Sequence, residues 1–587
     1  MQSETKQCQN CKNDFVIESD DFAFYKKINV PPPTFCPECK LQRRMMFRNE
    51  RILYKRKNYM NGEDIISIHR PDTVYTVYND RTWWSDKWDP MDYAIDYDFS
   101  KPFFEQYRNL YQKIPLINLS ITNMVNCSYC NVAEGDKNCF MFSASNQNED
   151  SLYGNRVKGN KFCLDLYVAS YNELCYELVN SSKNYKVLWG MHAYECSDSM
   201  FLYNCKNVQD SIGCVNLRNA SYCILNKKYS REEYLKHKES LKLNTRTGFL
   251  NFQKTFFDFV KQNIHKYAHN QKTINSSGDN LENVSNLKNC FDIYEAQDSK
   301  NITWGGYGLK DAFDAGPGVG INSELIYDSF DTALQVSGCF WTGVVYHSFD
   351  VKYSINCHSS SNLFGCYGLR NKQYCILNKQ YSKDEYFEMI EKIKKHMKDM
   401  PYIDKKARVF KYGDFFPYDL SPFAYNETIA QEYFPLSKEE VVNSGWSWYQ
   451  REEREYLPTI KSIELVDDIN EVQDGVLLEV IECENKGLEA SGCTIAFKIM
   501  KEELNFYKRL QIPLPLYCPN CRHFNRLQKR NPLKLWHRAC MCGSAGSPQA
   551  TSDHGHEGKC SNEFETSYAP ERPEIVYCES CYQKEVI

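Results

Sequence analysis

The sequence predicts a mainly β protein with α insertions, in which a central parallel β-helix lies between two related terminal modules. Two internal repeats lead to this prediction. A cysteine-rich segment near the start returns near the end at a constant offset of 482 residues, which pairs Cys11 with Cys493 and Cys36 with Cys518. Between these copies, the residues from Cys139 onward fall into blocks of twelve. Repetition at a short fixed period is typical of stacked repeat architectures.

Composition favours a folded, soluble protein. The chain has 587 residues, of which 42% are hydrophobic and 14% aromatic, enough for several cores. We find no apolar segment of the length that an export signal or a membrane span needs. Twenty-seven cysteines suit a reducing compartment. We therefore expect a cytoplasmic protein without a membrane partner, and the net charge of −5 argues against one that coats nucleic acid along its whole surface.

The first terminal module carries two CxxC pairs, Cys8 with Cys11 and Cys36 with Cys39, separated by 24 residues. Two such turns bring four thiolates to one tetrahedral zinc ion, about 2.3 Å from each sulfur. Two disulfides or four free thiols are the alternative, which a reducing compartment disfavours. The segments FVIE and FAFYKKINV between the pairs are typical of short strands. The pattern predicts a zinc ribbon.

The second copy differs in its first CxxC turn. Ala490 stands at the position of Cys8, and the nearest upstream cysteine is Cys483. Zinc constrains where the sulfur atoms lie rather than the length of the loop between them. We therefore expect the equivalent site to consist of Cys483, Cys493, Cys518 and Cys521.

A further zinc site is predicted in the second copy alone, because three of its four cysteines align with Asn58, Asn79 and Thr82 of the first copy. The metal-free equivalent is expected to be filled by side chains such as Trp83 and Trp84. The protein should therefore hold about three zinc ions, one in the first module and two in the second. The ligands of the further site are Cys540, Cys560, Cys578 and Cys581.

Three other residues compete for this further site. Cys542, His554 and His556 lie in or next to the insertion GSAGSPQATSDHGHEG. Thiolates and imidazoles are ordinary zinc ligands, whereas the alternative is a solvated loop.

The central blocks of twelve predict strands joined by turns. A small residue opens each block, a larger apolar one follows, and asparagine recurs at Asn148, Asn160, Asn172 and Asn184. Asparagine tolerates left-handed backbone, which suits a corner of a β-helix. A coil of twelve residues has little room for large side chains, so we expect 24 residues per coil. The fourteen cysteines between Cys127 and Cys375 are expected to be small buried thiols.

The β-helix is itself duplicated, because the segment from Gly213 to Tyr234 returns from Gly365 to Tyr386. Each copy leads into an amphipathic helix opened by a serine N-cap, Ser230 and Ser382, which is expected to cover the end of the β-helix. The predicted domains are a zinc-ribbon module (1–100), a first solenoid segment (101–229), a helical insertion (230–285), a second solenoid segment (286–381), a helical or irregular connector (382–470) and a double zinc module (471–587).

A basic run with interleaved aromatic residues follows each zinc ribbon. Phosphate contacts need such cations, and exposed bases stack on such rings. The alternative is that these arginines pair with carboxylates of their own module and hold its helix in place. The residues expected to bind RNA or single-stranded DNA are Arg43, Arg44, Arg48, Arg526 and Arg530.

Enzymatic motifs give little support for catalysis. We find no nucleophile elbow, phosphate-binding loop or HExxH motif. A parallel β-helix can host polysaccharide-cleaving carboxylates, but acids at surface turns are the simpler interpretation. The acids concerned are Asp311, Asp314, Asp328, Asp331 and Asp350.

Several motifs together resemble an uncharacterised family of zinc-ribbon proteins with a repetitive Cys/Asn-rich centre, associated with candidate-phyla bacteria and giant viruses. These motifs are FRNERILYKR, VYNDRTWWSDKWDPMDY, GLRNKQYCILNKQYSKDEY, IPLPLYCPNCR and FETSYAPERPEIVYCESCYQKEV. The resemblance implies the fold and, for a viral member, a place in the host cytoplasm or the virion. It implies no activity.

The sequence thus predicts a non-enzymatic zinc-binding scaffold that binds nucleic acid or a partner protein through its terminal modules. Two alternatives stay open: a β-helix carbohydrate-active enzyme, and a purely structural assembly or virion protein.

Overall fold

A computed structural model of the chain describes residues 2–451, 457–488, 491–544, 554 and 556–586. The protein is mostly β, and two large sheets with predominantly parallel strands form its centre. We call the sheet from Ile121 to Lys228 the first stack and the sheet from Gln271 to Gln380 the second stack. Within the described ranges, none of the helices combines the length and the apolar character that crossing a membrane requires.

The N-terminal module consists of short hairpins and helices. The segment FAFYKK, predicted as a strand, belongs to a helix whose first turn is capped by Glu18 and Asp21. The elements are β1 (Glu4–Gln7), β2 (Asp14–Ile17), α1 (Ser19–Lys27), α2 (Pro37–Met45), β3 (Tyr54–Lys57), β4 (Asp64–Ser67), β5 (Val77–Tyr78), α3 (Asp80–Trp83), α4 (Phe103–Lys113) and β6 (Leu116–Ile117).

The first stack contains twelve strands. They are β7 (Ile121–Thr122), β8 (Asn131–Glu134), β9 (Phe140–Asn146), β10 (Leu152–Lys158), β11 (Leu164–Ser170), β12 (Tyr176–Ser182), β13 (Tyr185–Tyr194), β14 (Ser197–Gln209), β15 (Ile212–Val215), β16 (Arg218–Ser221), β17 (Cys223–Ile224) and β18 (Lys227–Lys228).

Successive repeats pair in parallel at an offset of twelve residues, not the 24 expected. Leu152 lies beside Leu164, which in turn lies beside Tyr176. The reason is that every third residue has left-handed backbone; Tyr153 and Arg156 are examples. These four turns per repeat close a path of twelve residues whose large side chains point outward, as Tyr176 does against Phe506.

The recurring asparagines lie inside the first stack, not at left-handed corners as predicted. The side-chain NH₂ of Asn160 donates to Oδ1 of Asn148 at 2.9 Å and to the carbonyl of Ala169 at 2.9 Å. Asn172 donates in the same way to Asn160. These side chains are 0–2% exposed. Such a ladder satisfies buried amides that would otherwise cost free energy.

A column of small residues runs parallel to this ladder. The backbone N–H of Cys163 donates to Oγ of Ser151, and that of Cys175 donates to Sγ of Cys163. Serine and cysteine thus have the same role, and both are fully buried. All but one of the fourteen central cysteines are buried thiols, as expected, and Cys127 is half-buried.

Two helices and a strand separate the two stacks: α5 (Arg231–Ser240), α6 (Arg246–Gln262) and β19 (Ile264–Lys266). The second stack then begins at Gln271, earlier than the predicted 286. Its strands are β20 (Gln271–Ile274), β21 (Gly278–Lys288), β22 (Cys290–Lys300), β23 (Thr303–Phe313), β24 (Val319–Gly320), β25 (Ser323–Tyr327), β26 (Phe330–Ala333), β27 (Ser337–Phe340), β28 (Gly343–Tyr346), β29 (Phe349–Lys352), β30 (Ser361–Phe364), β31 (Gln373–Ile376) and β32 (Lys379–Gln380).

Each stack ends in an antiparallel hairpin and a capped helix. The serine N-caps are confirmed: Ser230 and Ser382 each form a reciprocal capping box with a glutamate three residues later. A second helix covers each end at a left-handed glycine. Gly213 faces Phe252 of α6, and Gly365 faces Phe103 of α4, with no room for a side chain at either position.

The remaining elements form the connector and the C-terminal module. They are α7 (Lys383–Asp399), β33 (Tyr402–Ile403), β34 (Val409–Phe410), α8 (Ile429–Tyr433), α9 (Lys438–Asn443), β35 (Ile460–Lys461), β36 (Ile481–Glu482), β37 (Ala496–Phe497), α10 (Lys501–Leu510), α11 (Pro519–Gln528), β38 (Trp536–Ala539), β39 (Glu563–Thr566), β40 (Ile575–Tyr577) and α12 (Glu579–Val586).

Candidate metal centres and their supporting ion pairs

The first cysteine quartet lies between the β1–β2 hairpin and the start of α2. The hairpin presents Cys8 and Cys11, while Cys36 caps α2 and Cys39 lies in its first turn. The N–H of Cys36 donates to Sγ of Cys8 at 3.3 Å, and Sγ of Cys11 lies 3.8 Å from Sγ of Cys36. The helix N-terminus favours negative charge, so this position stabilises thiolates.

The second quartet repeats this geometry in the C-terminal module. Cys518 caps α11 and donates its N–H to Sγ of Cys483 at 3.2 Å. Sγ of Cys483 lies 3.8 Å from Sγ of Cys521, and Sγ of Cys518 lies 4.0 Å from Sγ of Cys493. Cys483 thus takes the place of Cys8; Ala490 lies outside the described residues.

These distances fit a single tetrahedral metal ion. Zinc bound at about 2.3 Å to four sulfurs places them about 3.8 Å apart. In each predicted quartet all four sulfur atoms lie within 4.8 Å of one another, and three such quartets are present among the described residues. The arrangement suits zinc, the usual ion for four thiolates.

Hydrogen bonding among the thiols of the first and second quartets lowers the pKa of one cysteine in each. The thiols of Cys36 and Cys39 donate to Cys8 and hold its pKa well below the usual range. Cys483 and Cys521 lower the pKa of Cys518 in the same way. Because four thiolates need a positive charge between them, a divalent cation would displace these protons.

The third quartet closes the end of the C-terminal module. Cys540 follows β38, while Cys578 and Cys581 lie at the start of α12. The N–H of Cys578 donates to Sγ of Cys540 at 3.2 Å, and Asn562 donates to Sγ of Cys578 at 3.3 Å. Cys542, His554 and His556 form a fourth group with Cys581, whose ligand atoms also lie within 4.8 Å of one another.

Amides occupy the corresponding place in the N-terminal module. Asn58 donates to Asn61 at 2.7 Å, and both Asn61 and Asn79 donate to Glu63, at 3.2 and 3.5 Å. Trp83 is fully buried, but it aligns with Tyr582 rather than with a cysteine. Trp84 is 46% exposed, so the expectation that tryptophans fill this place was wrong for Trp84. Short polar side chains make the cross-link instead.

The side chains of the five arginines expected to bind nucleic acid are all nearly inaccessible to solvent. In the N-terminal module, Arg44 contacts Asp328 at 2.7 Å, and Lys40 beside it contacts Asp314 at 2.8 Å. Arg43 lies 3.7 Å from Asp328, and Arg48 contacts Asp331 at 2.8 Å. Their exposure is 1–6%, which leaves no surface for phosphate.

The C-terminal module repeats this pattern against the first stack. Arg526 contacts Asp165 at 2.9 Å and Glu177 at 2.8 Å, and Arg522 contacts Asp165 at 3.3 Å. Arg530 reaches the second stack, where it contacts Asp292 at 2.6 Å. Arg526 and Arg530 thus contact carboxylates of the stacks and do not direct their guanidinium groups to solvent.

Burial also changes the interpretation of the acids. Asp314 and Asp328 are 3% and 0% exposed, so they are neither surface acids nor an unpaired catalytic pair. Although burial raises it, the nearby Lys40 and Arg44 hold the pKa of Asp314 below its ordinary value. Asp311 contacts Lys27 at 2.9 Å, and Asp350 is exposed on β29.

Most partners of the arginines lie on the stacks. The alternative of pairing within the module holds in part, because Arg48 also contacts Glu50 at 2.6 Å and Arg522 contacts Glu503 at 2.9 Å. The N-terminal module contacts mainly the second stack and the C-terminal module mainly the first, although Glu50 also contacts Arg156 of the first stack at 3.1 Å and Arg530 contacts Asp292 of the second. The last strand of each module pairs with the strand that follows the helix covering the same stack. Strand β5 pairs with β6, which follows α4, and β40 pairs with β19, which follows α6. The modules are thus crossed relative to the order of the chain.

The spacing of residues along a helix and between adjacent strands explains why these basic side chains meet these acids. Arg522 and Arg526 lie one helical turn apart, as do Lys40 and Arg44, about 6 Å. Their acids follow paired strand residues of adjacent repeats, about 4.8 Å apart. The recurrence of basic residues at intervals of four in both copies was the available signal for these ion pairs.

Comparison with known proteins adds no assignment. The chain matches no protein-family model, and a search of curated proteins finds no match either.

Proposed function

We propose that this protein is a zinc-dependent structural scaffold in which two crossed terminal modules clamp a pair of β-solenoids. The observation that supports it best is the pairing of two features: cysteine quartets of zinc geometry and buried ion pairs beside them. Neither feature presents reactive groups to a substrate. Both fix the position of α2 and α11 against the stacks.

The two stacks are interpreted as parallel β-solenoids of twelve residues per coil. The parallel register at intervals of twelve and the internal asparagine ladder support this interpretation. A solenoid leaves its end strands unpaired and needs covers. The hairpins and helices at the ends of both stacks would supply them.

Metal is assigned a structural role. Structural zinc supplies folding free energy directly, and it would join the two halves of each cysteine quartet. Without zinc, the N-termini of α2 and α11, the helices that carry Arg44 and Arg526, would no longer be held in position. The aspartates Asp328 and Asp165 would then be left as uncompensated buried charges.

Binding of nucleic acid through the five arginines is not proposed further, because they are internal. The scaffold is proposed to act through contacts with protein partners on its outer surface. A carbohydrate-active site is disfavoured because Asp314 and Asp328 are neutralised by cations.

Zinc analysis of the purified protein, combined with chelation, tests the proposal. We expect at least three zinc ions per chain, and we expect chelation to expose both modules to protease. A labelled oligonucleotide at about 50 mM salt, where phosphate contacts are strongest, should show no salt-sensitive binding. A zinc-free folded protein would refute the scaffold.

A further inference from the structure

The third cysteine quartet and the fourth ligand group share one residue. The quartet consists of Cys540, Cys560, Cys578 and Cys581, and the fourth group of Cys542, His554, His556 and Cys581. Together they offer seven ligands. Two tetrahedral ions need eight ligand positions, so seven ligands suffice when one thiolate binds both ions.

We propose that the C-terminal module holds a binuclear zinc centre in which the Cys581 thiolate bridges two ions. The bridge gives this module three zinc ions and the chain four. The proposal rests on the structural zinc role proposed above, and it adds a ligand set that the cysteine spacing alone did not assign.

The surroundings of the two histidines support this assignment. His554 directs Nδ1 to Sγ of Cys542 at 2.7 Å, while its Nε2 lies 2.6 Å from a carboxylate oxygen of Glu585. Histidines that bind zinc usually donate their other ring N–H to a carboxylate or a carbonyl. The pairing with Glu585 fixes the ring orientation that a ligand needs.

His556 shows the same arrangement with a carbonyl. Its Nε2 lies 3.4 Å from Sγ of Cys581, and its Nδ1 lies 3.2 Å from the carbonyl oxygen of Gly558. Each histidine therefore turns one nitrogen to the sulfur cluster and the other to a supporting acceptor. A solvated loop would not require either contact.

One helix supplies both the bridge and one of the supports. Cys581 and Glu585 lie one turn apart on α12, on the same face. Cys542 is 2% exposed, and the side chain of His554 is also 2% exposed. Burial at this level excludes bulk water as the main partner of these groups.

Charge favours two ions over one. A single zinc ion among five buried thiolates leaves a formal charge of about −3, whereas two ions leave about −1. Buried charge of one sign is costly, so the second ion stabilises the cluster that the first one leaves anionic.

Native mass spectrometry of the full chain, with zinc as the only added metal, counts the ions. We expect four zinc ions in the wild type, three in Cys542→Ala and two in Cys581→Ala, because only Cys581 serves both sites. Three ions in both the wild type and Cys542→Ala would overturn the bridge but leave the scaffold intact. Fewer than three in the wild type would overturn both.

A second measurement keeps the proposal testable if Cys581→Ala does not fold. In wild-type protein substituted with cadmium, two metal nuclei that share one sulfur should show mutual spin coupling in the cadmium NMR spectrum. Resonances without such coupling would overturn the bridge. Four ions in the wild type with three in Cys581→Ala would overturn it as well.

Discussion

The two terminal modules have the same elements but different cross-links at one place. Helix α2 corresponds to α11, and the hairpin β3–β4 to β38–β39. The paired registers align Asn61 with Cys560, in addition to the three positions aligned from sequence. The four cysteines of the C-terminal site are Cys540, Cys560, Cys578 and Cys581, and they correspond to Asn58, Asn61, Asn79 and Thr82.

The length of the hairpin loop explains why a metal would be needed at this place in the C-terminal module and not in the N-terminal one. Six residues, 58–63, join the hairpin strands of the N-terminal module, whereas 23 residues, 540–562, join those of the C-terminal module. A short turn closes at little entropic cost, and a few hydrogen bonds of about 1 kcal/mol each suffice. The longer loop loses more entropy on ordering. Metal ligation, at about 10 kcal/mol or more, would offset that loss.

Loss of a ribbon ligand should have the largest effect. Cys36→Ser and Cys518→Ser should each release one zinc ion and unfold their own module, because zinc supplies about 10–16 kcal/mol. Zinc content and limited proteolysis measure this. Cys175→Ser is the matched control, since serine already occupies the same column at Ser151. Unchanged zinc content in Cys36→Ser would contradict the assignment.

Removal of a buried acid should have the second-largest effect on stability. Asp328→Ala leaves Arg43 and Arg44 without their carboxylate partner, and Asp165→Ala removes one of the two carboxylates that face each of Arg522 and Arg526. Each change should lower the free energy of unfolding by about 3–5 kcal/mol. Chemical denaturation measures the loss.

The exposed Asp350 provides the control for this pair. Because Asp350 has left-handed backbone like Asp328 and Asp165, Asp350→Ala should lose only the backbone contribution of about 1 kcal/mol. An equally small effect of Asp328→Ala would mean that the ion pairs do not hold the module.

Transfer of the ligand set should convert one module into the other. We expect the quadruple variant Asn58→Cys, Asn61→Cys, Asn79→Cys and Thr82→Cys to bind one additional zinc ion. The ligand positions match in register, so no backbone change is required. Native mass spectrometry counts the ions, and the triple variant that keeps Asn61 should bind the added ion more weakly. No gain in the quadruple variant would refute the alignment.

A smaller difference between the modules should appear with pH. Burial, with the charge of Arg56, lowers the pKa of His69 to about 3, whereas Tyr568 stands at the aligned position of the C-terminal module. The unfolded chain binds a proton at His69 below about pH 6.5, but the folded chain does not. This contribution to stability is therefore present above pH 6.5 and is lost as the pH falls toward 3.

The variant His69→Tyr, which takes its residue from the other module, should flatten this dependence. The free energy of unfolding of the wild type should fall relative to the variant by roughly 1.4 kcal/mol per pH unit below pH 6.5. Denaturation at several pH values measures the difference. Parallel curves for the two proteins would contradict the assignment of a buried neutral His69.

The sequence was sufficient for the cysteine quartets and the repeats but not for the docking of the modules. Ligand spacing is local, so Cys8, Cys11, Cys36 and Cys39 could be grouped without knowing the fold. The role of Arg44 depends on Asp328, which is 284 residues away. A sequence does not show whether an arginine is exposed or buried. The tertiary structure decides whether phosphate or aspartate is its partner.

Repeat length was predicted incorrectly for a related reason. The argument for 24 residues per coil assumed that Tyr176 and Trp189 must fit inside. Both point outward against neighbouring elements, Trp189 against Phe257 of α6. The period was visible in the sequence, but the direction of the large side chains depended on what covers the stack.

Hydrogen exchange measured by mass spectrometry tests the central claim, the crossed clamping of the stacks by the zinc modules, most directly. In Cys39→Ser, protection should be lost in the N-terminal module and most strongly in β25 and β26 of the second stack, while β11 and β12 stay protected. In Cys521→Ser the pattern should reverse. Loss of protection in β11 and β12 on removing the N-terminal site, or in neither stack, would contradict the crossed arrangement.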